Sequence, residues 1–216
     1  RARAPARRAR AHHGARPLVR RKGAVLESSS SLRRGSPADV RPTHPAVRYS
    51  STRRGVAPLA DLYVPRHPSA SVVLVHGGAF VIGSRRMKPM RYLASRLSAS
   101  GIAVCAVDYR LIFRGGRLDE AVDDVCDAFA FWTAHATRTG LDPRAISLVG
   151  LSAGGSLAML AAARIEPSRL ARLACCFGLY EMAHLRGPVA QLLPRLLFRT
   201  ADRTAWAARS PRGAPQ

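Results

Sequence analysis

Apolar residues recur along this chain with two periods, one typical of buried β-strands and the other of amphipathic helices. The strand pattern covers residues 46–51, 60–64, 71–75, 102–107, 144–149 and 172–179. The helical pattern covers residues 87–100, 119–139, 156–164 and 195–210. Strands that alternate with helices of this length predict an α/β fold, with a mostly parallel, doubly wound sheet and helices on both faces. The first two strands alternate in polarity, so we expect them to form an antiparallel pair.

Residues 1–45 show neither period and are rich in Arg, Ala, Ser and Pro. They hold too few large apolar side chains to offset the entropy of ordering, so we predict a disordered segment before a domain at residues 46–216. An organellar transit peptide and a nucleic-acid-binding arm are alternatives to an incidental leader. The first methionine is Met87, which suggests a fragment or a translation extended upstream of the true start.

The formal net charge of +22 is unevenly distributed, because residues 1–54 hold 15 of the 35 Lys and Arg residues and only two acids. Only Lys22 and Lys88 are lysines, so the charge reflects an arginine-rich composition as much as a polyanionic partner. Aromatic residues are not interleaved with the basic ones, so we expect no specific nucleic-acid partner.

The sequence predicts neither a membrane-spanning segment nor a metal site. No apolar run approaches the roughly 18–20 residues that span a bilayer, so we expect no transmembrane segment. The four cysteines lack metal or redox spacing and are predicted to be ordinary buried thiols. We therefore expect no metal, no cofactor and a cytoplasmic location, and we make no prediction of the oligomeric state.

The strongest chemical signal surrounds Ser152. It lies in the sequence GLSAGG, between a predicted strand and a predicted helix. A strand, G-x-S-x-G and a helix in this order predict a nucleophile elbow, in which a sharp turn exposes the serine hydroxyl. A glycine-rich turn with a capping serine is the alternative. The sequence HGGA follows an earlier strand at residues 76–79 and favours the elbow, because such a loop supplies an oxyanion hole.

Three motifs, HGGAF at residues 76–80, VDYRL at 107–111 and DPRAISLVGLSAGGSLA at 142–158, carry a resemblance to a known family. From about residue 60 to residue 180 the chain resembles the α/β-hydrolase superfamily, closest to the hormone-sensitive-lipase-like carboxylesterases. The resemblance implies hydrolysis of a small-molecule carboxylic ester through an acyl-enzyme on Ser152. It also implies an oxyanion hole formed by the backbone N–H groups of Gly77, Gly78 and Ala153. We expect His76 to orient that loop and not to act as the base.

The chain departs from the family pattern at three places. Ala79 replaces a third glycine, which we expect to cost little. Leu151 stands where the family often has Asp, and YRLIFRGG at residues 109–116 replaces YRLAPE. These departures weaken the assignment to the subfamily and not the assignment to the superfamily. A peptidase, a lactonase or an acyltransferase would show the same elbow, and a hydrolase-fold protein that binds without catalysis is a further alternative.

The catalytic acid and histidine of this fold follow the nucleophile along the chain. Downstream of Ser152 the histidine is His184, and the acids are Glu166, Glu181 and Asp202. None of them has the expected spacing, although Glu181, His184 and Asp202 stay open as alternatives. We expect the last strands, the acid and the base to lie beyond the final residue, so that this fragment by itself is inactive.

Overall fold

The described residues form a six-stranded mixed sheet in the order β1-β2-β4-β3-β5-β6. The computed structural model describes residues 41–51 and 58–213. The strands are β1 (His44–Arg48), β2 (Leu59–Tyr63), β3 (Ala70–Val75), β4 (Ile102–Val107), β5 (Ile146–Leu151) and β6 (Arg172–Cys176). Strands β3 to β6 run parallel, whereas β1 pairs antiparallel with β2 and β2 pairs antiparallel with β4.

Five α-helices occur in the described part of the chain. They are α1 (Lys88–Ala99), α2 (Leu118–Thr139), α3 (Ala153–Ala162), α4 (Pro188–Phe198) and α5 (Arg203–Arg209). The predicted α/β class and the mostly parallel sheet are confirmed. Residues 1–40, which make up most of the segment predicted to be disordered, lie outside the described residues.

The central strands are buried on both faces, which explains their continuous apolar sequences. Val73 and Val75 of β3 pack in the cluster that includes residues of α2 and α3. Val72 and Leu74 of the same strand pack in a second cluster with Met90 of α1. The helices therefore cover both faces of the sheet, and the loops that follow β3, β4, β5 and β6 meet at one edge.

Several predicted elements have different ends in the structure. Strand β6 stops at Cys176, three residues early, because Phe177 takes a φ of 59° that no strand residue adopts. The single helix predicted at residues 195–210 is two helices, since Arg199 has a φ of 55° and ends α4. Helix α3 begins at Ala153, before its predicted start, and β1 begins at His44, two residues before the predicted domain.

The prediction that all four cysteines are buried is wrong for three of them. All four are free thiols, but only Cys105 is buried. Cys126, Cys175 and Cys176 are half-buried, the last two because they lie on β6, which pairs only with β5 among the described strands.

A buried ion pair fastens the segment after β4 to helix α2. Arg110 Nε and Asp124 Oδ2 are 2.9 Å apart, and both side chains are about one-tenth exposed or less. The backbone N–H of Arg110 donates to the same carboxylate at 2.8 Å, and a terminal guanidinium nitrogen donates to the carbonyl of Glu120 at 2.8 Å. Because these bonds satisfy both buried charges, the pair fixes the course of residues 108–112.

We expect Asp124→Asn to destabilise the protein strongly, because it leaves the Arg110 guanidinium buried without a countercharge. A loss of about 3–5 kcal/mol is typical of a broken buried pair. Urea denaturation measures it. The control is Arg144→Ala, which breaks an exposed ion pair with Asp142 and should cost less than about 1 kcal/mol. Equal effects of the two substitutions would contradict the structural role of the buried pair.

Candidate active site

Ser152 occupies a sharp turn between β5 and α3. Its backbone angles are φ 52° and ψ −120°, a sparsely populated conformation that costs a non-glycine residue about 1–3 kcal/mol. Three hydrogen bonds hold the turn: Ser152 N–H donates to Cys176 O at 2.7 Å, and its carbonyl accepts from Gly155 N–H at 2.8 Å and Ser156 N–H at 3.3 Å. The side chain is exposed, and within the described residues its hydroxyl forms no hydrogen bond.

The glycine that follows Ser152 by two positions allows a close backbone approach. A Cβ at Gly154 would lie 2.4 Å from the carbonyl oxygens of both Val75 and His76. No larger residue fits there, so the start of α3 packs directly against the end of β3. The second glycine of the G-x-S-x-G motif is therefore a packing requirement of this fold.

The loop after β3 reaches the serine through Gly77. A Cβ at Gly77 would lie 3.0 Å from Ser152 Cβ and 2.9 Å from Leu151 O. The backbone N–H groups of Gly77 and Gly78 donate no hydrogen bond within the described residues. Ala153 is the first residue of α3, and its N–H has no partner inside the helix. The structure thus brings Gly77, Gly78 and Ala153 to the same end of the sheet as Ser152.

His76 is buried at the start of this loop, with 1% of its surface exposed. Its Nδ1 lies 2.7 Å from Gly77 O, so this nitrogen carries the proton and donates. Its ring stacks on Tyr109 with centroids 4.2 Å apart, and Tyr109 Oη donates to His76 O at 3.1 Å. Burial lowers the pKa of His76 by more than Gly77 O and Asp108 raise it. A neutral, buried imidazole held in this way suits orientation of the loop.

Arg85 anchors the far end of the loop with buried charges. Its Nε lies 2.9 Å from Asp61 Oδ1, its backbone N–H donates to Asp108 Oδ1 at 2.6 Å, and its guanidinium also pairs with Asp108. Burial pushes the pKa of Asp61 upward, but the Ala46 amide and Arg85 outweigh burial and hold this pKa below its ordinary value. Asp61 thus joins β1, β2 and the loop at one point.

The roles of Asp61, Arg85, Asp108 and Tyr109 in holding this loop were not predicted from the sequence. Asp108 and Tyr109 stand in the VDYRL motif, but the motif suggested no role for them. Asp61 interrupts an otherwise apolar strand, which is a usable signal for a buried charge with a partner. The partner, Arg85, carries no local signal, because one more arginine in an arginine-rich chain is uninformative.

Ala79 corrects the expectation that replacing the third glycine costs little. Its φ is 52°, and that of the next residue, Phe80, is 63°. Both lie in the left-handed region, where an L side chain is disfavoured by about 1–2 kcal/mol. The carbonyl of Phe80 accepts from Ile112 N–H at 2.9 Å, which helps to hold the loop in this conformation.

The acids and the histidine downstream of Ser152 all lie in local turns. Glu166 accepts a hydrogen bond from Ser168, Glu181 from the N–H of Ala183 and Asp202 from the N–H of Thr204, while His184 is exposed in the turn Met182–His184. No hydrogen bond joins any of them to Ser152. Within residues 41–51 and 58–213 the structure therefore gives the serine no bonded general base.

The described residues offer no candidate for a membrane-spanning helix or a metal site. No helix there is long and apolar enough to cross a membrane. No group of three or more His, Cys, Asp and Glu side chains there is placed to hold a metal ion.

The comparison with protein families identifies the chain. Residues 60–175, more than half of its length, match the BD-FAE family. The chain belongs to this α/β-hydrolase-like family. The matched residues contain the loop after β3, the anchors Asp61, Arg85 and Asp108, and the turn at Ser152.

Relatives of this BD-FAE member are named as esterases. The chain is 38% identical over 104 residues to the "Probable isoprenylcysteine alpha-carbonyl methylesterase ICME" of Oryza sativa subsp. japonica, covering 47% of this chain and 24% of that protein. It is 34% identical over 106 residues to the "Ethyl acetate hydrolase" of Pseudomonas putida, covering 49% and 32%. The matches thus span about a quarter to a third of these curated relatives.

A solved structure shows the same fold. Thermogutta terrifontis esterase 2, in a form phosphonylated by sarin, superposes with a TM-score of 0.65 at 21% sequence identity. The alignment covers 81% of this chain and 69% of that one. The α/β-hydrolase fold predicted from the motifs is therefore confirmed.

We expect His76 to make stability depend on pH. Its pKa in the folded state lies below the ordinary value of about 6.5. The unfolded chain therefore takes up a proton first, and stability should fall as the pH drops below about 6.5. In urea denaturation from pH 7.5 to 5, His76→Phe should be less stable throughout but less dependent on pH.

The control for this prediction is His67→Phe, at an exposed position. His135 also has a pKa lowered by burial, with contributions from Arg138 and His44, so some pH dependence should persist in the His76 variant. A pH dependence that stays unchanged in His76→Phe would contradict the prediction.

Proposed function

We propose that this protein is a serine hydrolase that cleaves carboxylic esters through an acyl-enzyme on Ser152. The observation that carries the proposal is the strained, exposed Ser152 with an unbonded hydroxyl, directly beside Gly77, whose N–H donates no hydrogen bond within the described residues. Backbone strain of this kind concentrates at functional sites. The esterase names of the relatives support the same reaction.

The reaction begins when Ser152 Oγ attacks the ester carbonyl carbon and loses its proton to a base. The tetrahedral intermediate collapses as the carbon–oxygen bond to the alcohol breaks, and the alcohol leaves with a proton. Water then adds to the acyl-enzyme in the same manner, which releases the carboxylic acid and restores the serine. Each of the two additions places negative charge on the former carbonyl oxygen, and each collapse removes it.

We assign the oxyanion hole to the backbone N–H groups of Gly77, Gly78 and Ala153. They are unengaged donors at the end of the sheet where Ser152 lies. The N-terminus of α3 adds a favourable dipole for the developing charge. Donors that are already in place need no reorganisation during the reaction, and each contributes about 100- to 1000-fold to the rate.

His76 is a positioning residue in this proposal and not the base. Its protonated Nδ1 is engaged by Gly77 O and its ring lies against Tyr109. We propose that the acid and the base lie outside the described residues, so the described residues alone should support only the residual catalysis of an oxyanion hole. A small-molecule ester substrate and a cytoplasmic location are also proposals.

Ser152→Ala should abolish ester hydrolysis by the full-length protein. Loss of the nucleophile in such enzymes lowers kcat by about 10⁴- to 10⁶-fold. Hydrolysis of p-nitrophenyl acetate and butyrate measures it, with Ser168→Ala, an exposed serine outside the elbow, as control. Equal rates for Ser152→Ala and the wild type would refute the assignment, whereas inactivity of every form would favour a binding protein of hydrolase fold.

Gly77→Ala should reduce kcat by about 100- to 1000-fold, with a smaller effect on KM, because the new Cβ pushes a donor away from the serine. That Cβ would meet Leu151 O at 2.9 Å. The matched control is Ala79→Gly in the same loop, which removes a Cβ at a φ of 52° and should retain activity. If Gly77→Ala kept full kcat, Gly77 would not belong to the oxyanion hole.

A further inference from the structure

Phe177 lies beside the nucleophile on the side opposite to Gly77. Leu151 pairs with Cys176 across β5 and β6, and this is the last pair of the two strands. The hydrogen bond from Ser152 N–H to Cys176 O, at 2.7 Å, joins the serine turn to the residue directly before Phe177. The backbones of Ser152 and Phe177 are therefore close together, so a side chain at position 177 can extend to a ligand bound at the serine.

The conformation of Phe177 is unusual for a bulky residue. Its φ is 59°, in the left-handed region, and 92% of its surface is exposed. Within the described residues the ring packs against little, so packing among them does not explain why a phenylalanine occupies a position that suits glycine.

Side-chain hydrogen bonds on both sides impose this conformation. Tyr180 Oη donates to Cys175 O at 2.9 Å and accepts from Gly178 N–H at 3.1 Å. Ser156, in α3, bonds both backbone groups of Leu179 through its hydroxyl, at 2.8 and 2.9 Å. The backbone of the turn is therefore held in place independently of the Phe177 ring, and this backbone is bonded to the serine turn through Cys176 O.

Other exposed apolar side chains lie at the same edge of the sheet. Of the exposed large hydrophobic residues in the described part, the three most exposed are Phe177, Phe113 at 70% and Ile82 at 65%. They stand on the loops after β6, β4 and β3, and a hydrogen bond from Ile112 to Phe80 joins the last two loops. Ligands of open α/β sheets bind at this edge, outside the carboxyl ends of the strands.

We propose that Phe177 is a specificity-determining residue that contacts an apolar group of the ester on the β6 side of Ser152. This inference rests on the proposed function. The carbonyl oxygen is directed to Gly77 on the β3 side, so the acyl chain or the alcohol group extends to the other side. The expected substrates are esters with an apolar group larger than acetyl or methyl, which cover the ring and remove it from water.

Binding to the Ser152→Ala protein tests the contact without turnover. Titrations followed by ligand NMR give Kd for p-nitrophenyl acetate, butyrate and hexanoate, and for methyl butyrate. We expect affinity to rise with the size of the apolar group, and Phe177→Gly to weaken the larger esters by about five- to tenfold, as loss of apolar contact predicts. If the loss of affinity increases with acyl length, the acyl chain contacts Phe177. If the loss of affinity depends instead on the alcohol group, the alcohol group contacts Phe177.

Two controls separate this contact from a structural role. Leu173→Ala changes a side chain of the same strand that is 39% exposed, and should leave every Kd unchanged. Phe177→Tyr keeps the ring and should restore the affinities. Phe177→Gly should also raise the melting temperature by roughly 2 °C, because glycine adopts this φ without strain. If the ring had a structural role, Phe177→Gly would instead lower the melting temperature.

The outcomes distinguish the two proposals. Unchanged Kd values in Phe177→Gly would overturn the role of Phe177, whether or not Ser152 supports hydrolysis. Selective weakening of the larger esters would support it even if the complete protein had no esterase activity, in which case only the proposed reaction would fail. A uniform loss for all four esters, together with a lower melting temperature, would also overturn it.

Discussion

The site depends on a direct contact between two backbones. The start of α3 lies against the end of β3 at Gly154, and the loop after β3 lies against the turn after β5 at Gly77. Side chains at either position would separate the serine from the N–H groups of the loop. Both glycines follow from this contact, and so does the closeness of a nucleophile and potential oxyanion donors that are about seventy residues apart in sequence.

The contact persists because the loop after β3 is held at both of its ends. Stacking on Tyr109 and one hydrogen bond from it hold His76, and the carboxylates of Asp61 and Asp108 hold Arg85. Buried charges of this kind add little net stability when they are compared with apolar packing. Their value here is geometric, because charged partners at fixed positions allow one course of the loop and disfavour others.

Non-glycine residues with strained backbone conformations are concentrated at this edge of the sheet. Of the six non-glycine residues with positive φ in the described part, Ala79, Phe80, Ser152 and Phe177 lie in loops at this edge. Each costs stability, and hydrogen bonds from neighbouring elements hold Phe80, Ser152 and the residues on either side of Phe177. Such residues persist only where the surrounding structure determines their conformation, which is typical of a site that must be arranged before a ligand arrives.

Much of the fold and the centre of the site could be predicted from the sequence, because both depend on local patterns. Continuous apolar runs indicated strands buried on both faces, and G-x-S-x-G with HGG indicated a serine turn beside a donor loop. The ends of elements were less predictable: β6 stops at Cys176 because bonds from Tyr180 and Ser156 impose the turn that follows it.

The sequence by itself determined the class of sheet, the strained serine and the loop that faces it, since each arises from residues adjacent in the chain. Only the tertiary structure decided the pairing of Arg85 with Asp61 and Asp108, the left-handed conformation of Ala79, and the place of Phe177 beside Ser152. These features depend on the order in which strands assemble and on which loops then meet. Contacts between distant residues have no periodicity, so the linear sequence carries no local signal for them.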